Sequence, residues 1–123
     1  MRYMLLVCVD ESVQLSPAES AEMERATEAW VTEMEGRGVR LQGAPLRSVS
    51  DATTVRSRGG EVLISDGPFA ETKEQIAGFD LLECAGRDAA VAVAARHPTA
   101  RIGTFELRPL AAQPVTSASR RLR

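Results

Sequence analysis

Four charged side chains lie within nine residues of the chain, between Asp66 and Glu74. Asp66, Glu71 and Glu74 are carboxylates, and Lys73 is the only lysine. Carboxylates crowded beside a cation can have shifted pKa values, and a shifted carboxylate can act as a general acid or base where water is excluded. We therefore predict Asp66 as a catalytic acid or base in a cleft beside this segment.

The same segment has the residue types of a tight turn. A carboxylate at Asp66 readily accepts hydrogen bonds from the next backbone N–H groups, and Gly67 before Pro68 leaves the chain free at a close approach. Phe69 is one of three phenylalanines and is expected to anchor the loop by burial. This structural interpretation stands beside the functional one. The ligand-binding residues predicted here are Asp66, Gly67, Pro68, Phe69, Glu71, Lys73 and Glu74.

The single histidine, His97, follows a predicted helix and precedes Pro98. A cation at a helix C-terminus interacts well with the helix dipole, so a surface cap is the favoured interpretation and a catalytic role is the alternative. One histidine cannot supply a histidine-based metal site or a Ser-His triad within the chain. No metal or other cofactor is predicted.

The cysteines and arginines indicate structural roles. Cys8 and Cys84 lie in apolar runs and match no metal-binding spacing, so both are predicted to be free, buried thiols in a reducing cytosol. Five arginines between positions 37 and 58 share that stretch with one acidic residue, Asp51. Because aromatic residues do not interleave them, pairing with the acidic first helix is favoured over binding of an anionic ligand or nucleic acid.

The elements that must position these residues alternate between strands and helices. The unbroken apolar run 2–9 predicts a strand, and Ser16-Pro17-Ala18-Glu19 has the form of a capping box that starts a helix ending at Gly36. Gly59-Gly60 predicts a hairpin turn. The remaining predictions are strands at 39–42, 53–58, 61–65, 79–84 and 102–107, a helix at 88–96 and a single helical turn at 72–75.

This order predicts an α+β fold of the ferredoxin-like βαββαβ type with an inserted hairpin. In such a fold two helices cover one face of an antiparallel sheet. The first strand is apolar on both faces, so the second face also needs cover. A second copy of the chain is the simplest cover, and we predict a homodimer formed sheet to sheet.

Length and charge set the broad class. The chain has 123 residues and a net charge of −2, which fit one domain and give no reason to expect nucleic acid as a partner. The apolar N-terminal run is too short to cross a membrane and lacks the pattern of a signal peptide, so a cytoplasmic location without a membrane partner is predicted. We assign residues 1–109 to one domain and residues 110–123 to a flexible, Arg-rich tail.

Several stretches together resemble one known family. Residues 66–74 read Asp-Gly-Pro-Phe-Ala-Glu-Thr-Lys-Glu, and residues 2–6, 53–56 and 105–109 also fit its pattern. The chain resembles the YCII-related family and, within it, the subgroup named after its Asp-Gly-Pro-Phe (DGPF) tetrapeptide. The resemblance implies a dimeric α+β barrel. The family includes a dehydrochlorinase acting on a chlorinated hydroxyquinol, and members of the subgroup are often found beside extracytoplasmic-function sigma factors.

The resemblance implies no catalytic pair in this chain. A histidine near the start of the first helix and an aspartate have been proposed as the active pair of the broader family. Here that helix opens with Ser16-Pro17-Ala18-Glu19, and His97-Pro98 stands where Asp-Pro is often seen.

Two function hypotheses follow. The first is a small-molecule site, catalytic or only binding, in a cleft beside the DGPF loop of a homodimer. The second is a non-enzymatic regulatory or interaction module associated with an extracytoplasmic-function sigma factor.

Overall fold

Six strands and two helices form residues 1–111, the part of the chain that the computed structural model describes, with four of the strands lying between the two helices in sequence. Single 3-10 turns lie at Val49–Asp51 and Pro98–Arg101. The main elements are β1 (Arg2–Val9), α1 (Pro17–Gly36), β2 (Arg40–Pro45), β3 (Thr53–Arg58), β4 (Glu61–Asp66), β5 (Gln75–Glu83), α2 (Arg87–Ala95) and β6 (Thr104–Pro109).

Four of these strands form one antiparallel sheet in the order β2-β5-β1-β6. Strands β3 and β4 form a separate two-stranded hairpin inserted between β2 and β5. Two helices with antiparallel sheets confirm the predicted mixed architecture, and the strand order is compatible with the ferredoxin-like plan carrying an inserted hairpin.

The core lies between one face of the four-stranded sheet and both helices. Alternate residues of β1, namely Tyr3, Leu5 and Val7, are buried on this face. Helix α1 contributes Trp30 and Met34. The Trp30 indole N–H donates a hydrogen bond to the Val93 carbonyl of α2 at 3.0 Å. Because the strand alternation brings every second residue to the helices, the apolar run of β1 supplies the floor of the core.

Helix α1 starts as its sequence predicts. The Glu19 N–H donates to the Ser16 hydroxyl at 3.1 Å, and the Ser16 N–H donates to the Glu19 carboxylate at 2.9 Å. This reciprocal pair is the capping box, with Pro17 at the first helical position. At the other end, Gly38 adopts φ +72°, a left-handed conformation that glycine reaches without steric cost.

The opposite face of the sheet carries an apolar stripe. Met4 pairs with Leu81 and Leu6 pairs with Phe79, and all four side chains are only partly buried. Both helices pack on the other face, so no helix within residues 1–111 covers this stripe. The stripe is the surface on which the predicted homodimer depends.

The structure corrects one local prediction. Residues 72–75 do not form a helical turn, since β5 already begins at Gln75. The Thr72 hydroxyl instead donates to the Glu74 carbonyl at 2.5 Å, and the Gln75 side-chain amide donates to the Thr72 carbonyl at 3.0 Å. A helix of one turn is marginal by itself, so strand pairing prevails over the capping signal.

Two regional predictions stand as follows. Of the predicted tail 110–123, residues 112–123 lie outside the described part of the chain. Among the helices of residues 1–111, neither combines the length and the apolar character needed to span a lipid bilayer.

Candidate functional site

The DGPF loop, residues 66–74, begins at Asp66, the last residue of β4. Asp66 is exposed, and its side chain makes no hydrogen bond to any residue within 1–111. The backbone holds the turn instead: the Gly67 N–H donates to the Ala52 carbonyl at 2.8 Å, and the Thr54 hydroxyl donates to the Gly67 carbonyl at 2.8 Å. Gly67 has φ +92°, so glycine is required there for a conformational reason.

Phe69 does not anchor the loop by burial, because 77% of its surface is exposed. With Pro68 it lines an open cavity of about 670 Å³, the hairpin cavity, between the hairpin and the segment 46–52. The expected apolar anchor is therefore wrong for this chain in isolation.

Two further predicted residues of the loop line a different cavity. Lys73 and Glu74 line a space of about 650 Å³ together with Asp10 and Cys8. The Thr104 hydroxyl donates to Glu74 at 2.9 Å. Hydrogen bonds from Ser12 lower the pKa of the Asp10 carboxyl, and the positive charge of Lys73 lowers it to a smaller extent.

Four of the seven predicted site residues are thus divided between two cavities, and Gly67 lines neither of them. Neither Asp66 nor Glu71 lines either of them. The catalytic role of Asp66 stays a prediction.

A third cavity, of about 330 Å³, lies between α1 and the sheet. We call it the α1 cavity. Its lining residues are Val7, Val9, Thr27, Val31, Arg40, Ala44, Pro45, Ala77, Gly78, Phe79, Asp80, His97 and Thr99. Most are apolar, and three ionisable groups from β2, β5 and the end of α2 converge on it. This composition is typical of a small-molecule site.

Asp80 and Arg40 form a buried ion pair in this cavity. The pairing Leu5↔Asp80 brings Asp80 to the helix-covered face, where only 5% of its surface is exposed. Arg40 Nε donates to Asp80 Oδ1 at 2.6 Å, and Arg40 Nη1 donates to Glu35 at 2.8 Å. Burial raises the pKa of the Asp80 carboxyl above its ordinary value, although Arg40 opposes the shift.

Gly43 leaves the space that this ion pair occupies. A Cβ atom at that position would lie 2.4 Å from Asp80 Oδ1, 2.5 Å from Arg40 Nη2 and 2.6 Å from the Phe79 carbonyl oxygen. Gly43 pairs with Asp80 across β2 and β5, so any larger residue would displace the ion pair. The glycine is required by a close approach of side chains.

His97 is buried, which overturns the prediction of a surface cap. Only 6% of its surface is exposed, and its ring lies 4.6 Å from Trp30 and 5.0 Å from Phe105 between ring centroids. Its Nδ1 accepts a hydrogen bond from the Thr99 N–H at 3.1 Å, which starts the following 3-10 turn. Burial, aided by Arg40, lowers the pKa of His97 to about 4, so the imidazole is neutral at physiological pH.

The neutral ring has one N–H donor left after the contact with Thr99. Since Nδ1 accepts, the proton of the neutral imidazole is on Nε2. Neither His97 Nε2 nor Asp80 Oδ2 has a hydrogen-bond partner within residues 1–111. Every side-chain nitrogen or oxygen in residues 1–111 that is fully buried does have a partner, so neither of these two atoms is fully buried. Both atoms are therefore accessible, and both residues line the α1 cavity.

The cavity presents an N–H donor, a carboxylate acceptor and apolar walls. It can bind and orient a small molecule that reaches these groups. Within residues 1–111 no group of three or more His, Cys, Asp or Glu side chains has an arrangement that could hold a metal ion.

The sequence held two signals for this site. Asp80 interrupts the otherwise apolar stretch 79–82, and a charged residue in a strand is almost never buried without a partner. His97 lies next to Pro98 at the end of an alanine-rich helix. The partner of Asp80 was not identifiable, because Arg40 is one of five arginines in its region.

Comparison with known proteins agrees with the fold and extends it. The chain is 46% identical over 70 residues to an uncharacterized protein of Rhizobium meliloti (strain 1021), a match that covers 55% of this chain and 56% of that protein. The chain thus matches only about half the length of this curated relative. The model of the YCII-related domain matches residues 1–112. A match over this much of the chain, with a compatible strand order, shows that the chain belongs to the YCII-related domain family.

Proposed function

We propose that this protein binds a small molecule in the α1 cavity. The observation that carries the proposal is the burial of a neutral His97 and an ion-paired Asp80, each with one open polar atom, in the same mostly apolar cavity. Ionisable groups with perturbed pKa values in a concave, mostly apolar space are the usual mark of a binding or active site.

The size of the cavity supports this function. Its volume of about 330 Å³ lies at the lower end of the range of about 300–1,000 Å³ that is typical of ligand pockets. The space suits a compact ligand rather than a cofactor the size of a dinucleotide.

The DGPF loop contributes to this site indirectly. It leads into β5, and the first residues of that strand, Gln75 and Ile76, line the hairpin cavity while Ala77 and Gly78 line the α1 cavity. The Leu46 N–H donates to the Ala77 carbonyl at 2.8 Å and fixes β2 against β5 at this point. We assign the loop a positioning role, and membership of the DGPF subgroup and acid–base chemistry at Asp66 stay predictions.

We further propose that the working form is a homodimer of the dimeric barrel type. The partly exposed stripe of Met4, Leu6, Phe79 and Leu81 supports it, as does the exposed apolar side of the hairpin at Val55, Val62 and Ile64. Light scattering tests it: a mass of two chains is expected, and a mass of one chain at micromolar concentration would contradict it. Leu81→Glu is expected to separate the dimer, whereas Val91→Glu on α2 is the matched control.

The alternative function, an interaction module for an extracytoplasmic-function sigma factor, depends on resemblance alone. It stays a prediction. A pull-down in which the purified protein retains none of the sigma factors of its host would remove it.

A thermal-shift screen against a library of small metabolites tests ligand binding in the cavity. A ligand that binds only the folded state raises Tm. Thr27 lines the cavity from α1, so Thr27→Phe should fill the space and abolish the shift, while Thr32→Phe on the exposed side of the same helix should not.

A third variant separates the two candidate sites. Asp66→Ala should leave the ligand-induced shift unchanged, because Asp66 does not line the α1 cavity. If Asp66→Ala abolishes the shift and Thr27→Phe does not, the loop holds the site and the proposal is wrong.

A further inference from the structure

The open polar atoms of the α1 cavity define the ligand more closely than its volume does. We infer, on the basis of the proposed function, that the ligand is an uncharged carboxamide with a compact apolar body. An amide carbonyl would accept from His97 Nε2–H, and an amide N–H would donate to Asp80 Oδ2. An amide carries this acceptor and donor in one group and has no charge at neutral pH.

The charges around the cavity disfavour an anionic ligand. Arg40 is the cation among the lining residues, and both Asp80 and Glu35 already accept from it. His97 is uncharged. Two carboxylates thus share one guanidinium, so these three groups together carry a net negative charge, and an anion entering the cavity would lose its hydration near the Asp80 carboxylate.

A cationic ligand is disfavoured by the donors. Arg40 Nε lies 2.6 Å from Asp80 Oδ1, so the guanidinium charge is beside the only carboxylate that lines the cavity. The His97 N–H would also point its positive end at a cation. Both groups oppose a second positive charge in a mostly apolar cavity.

The remaining walls require an apolar ligand body. Val7 and Val9 of β1, Val31 of α1 and Pro45 of β2 line the cavity around the polar groups. Burial of apolar surface provides the affinity, while the amide fixes the orientation.

Saturation-transfer NMR with matched probes tests the ligand class. Benzamide, benzoate and benzylamine share a phenyl body and differ in charge and hydrogen-bonding groups. At neutral pH the wild-type protein is expected to bind benzamide, with Kd values for benzoate and benzylamine weaker by at least about tenfold, equivalent to about 1.4 kcal/mol.

Two variants identify the groups responsible. Asp80→Asn keeps the size of the side chain but removes its charge, so the discrimination against benzoate should fall by at least about threefold, equivalent to at least about 0.6 kcal/mol. Thr27→Phe should abolish benzamide binding and Thr32→Phe should not.

The outcomes separate this inference from the proposed function. Benzoate or benzylamine binding as tightly as benzamide, or an unchanged ratio in Asp80→Asn, overturns the amide assignment and leaves the cavity as a binding site. Failure of the wild-type protein to bind benzamide also overturns the assignment, while the metabolite screen still decides the proposed function. Benzamide binding that Thr27→Phe does not reduce places the binding elsewhere and counts against both.

Discussion

The DGPF loop and the α1 cavity place similar residue types in opposite environments. The loop gathers three carboxylates and a lysine within nine residues of sequence, but Asp66, Glu71, Lys73 and Glu74 are all exposed to water. The cavity gathers Arg40, Asp80 and His97 from three separate elements and removes them from water. Solvent screens charges in the loop, whereas burial shifts the pKa values of Asp80 and His97, so the environment decides which group has unusual chemistry.

The two regions also differ in what holds them together. A backbone hydrogen bond from Gly67 and a hydrogen bond from the Thr54 hydroxyl to the Gly67 carbonyl fix the loop, and the side chain of Asp66 takes no part within residues 1–111. In the cavity, side chains depend on one another: Arg40 reaches Asp80 only because Gly43 leaves space. Substitutions should therefore have large effects in the cavity and small effects in the loop.

The largest effect is expected from Arg40→Met. It leaves the Asp80 carboxylate buried without its cation, and breaking one partner of a buried ion pair costs about 3–5 kcal/mol. Urea denaturation measures the loss. The control is Arg47→Met, because Arg47 pairs with Asp51 while 87% of its side chain is exposed. This variant should change the free energy of unfolding by less than about 1 kcal/mol. Equal losses in both variants would remove the contrast between buried and exposed pairs.

A pH dependence of similar size follows from His97. Its pKa in the folded protein is about 4 against an ordinary value of 6.5, so the unfolded chain takes up the proton first as the pH falls. The contribution of His97 to the free energy of unfolding is fully present above about pH 6.5. It is lost as the pH falls toward 4, by about 3 kcal/mol in all.

The control for that prediction is His97→Gln, which lacks the titrating group. Urea denaturation at several pH values should give a flatter profile for this variant than for the wild type between about pH 6.5 and about pH 4.5. Parallel profiles would show that His97 is not the source. The carboxylates whose pKa values are lowered, such as Glu33 and Glu83, lose their contribution at more acid pH in both proteins.

Gly43→Ala tests the close packing around the ion pair of the cavity. The added Cβ would overlap both partners of the ion pair, and overpacking of this kind costs about 1–3 kcal/mol. Gly36→Ala, at the end of α1 with nothing within 4 Å of the added atom, should leave stability unchanged or raise it slightly. A change of Tm on thermal unfolding measures both, and equal Tm values for the two variants would contradict the close approach.

The smallest effect is expected in the loop. Asp66→Ala removes an exposed side chain without hydrogen bonds in the described residues, so the free energy of unfolding should change by less than about 0.5 kcal/mol. Urea denaturation checks this. A loss above about 2 kcal/mol would show that Asp66 is held by interactions comparable to those of the buried ion pair.

Much of the fold follows from local patterns in the sequence. The apolar run of β1, the capping box at Ser16 and the glycine turn of the hairpin are each formed by neighbouring residues, and each is confirmed. The turn predicted at residues 72–75 is wrong, since its weak capping signal competes with the pairing of β5 to β1.

The candidate site could not be predicted in the same way. The Arg40–Asp80 pair depends on the register of β2 against β5, which shifts at an irregularity between Arg40 and Gln42. His97 is buried because Trp30 and Phe105 pack against its ring. Trp30 is distant from His97 in sequence, so this burial is decided by the tertiary structure. Residue types alone indicated chemistry in the loop, because burial is not visible in a local pattern.

The neutrality of the buried imidazole is the central claim, and a proton NMR titration of the histidine Cε1–H resonance tests it most directly. The chain has a single histidine, so the assignment is unambiguous. The structure predicts a titration midpoint of about 4. A midpoint at the ordinary value of 6.5 would contradict it, because His97 would then be solvated and the α1 cavity would lack its neutral donor.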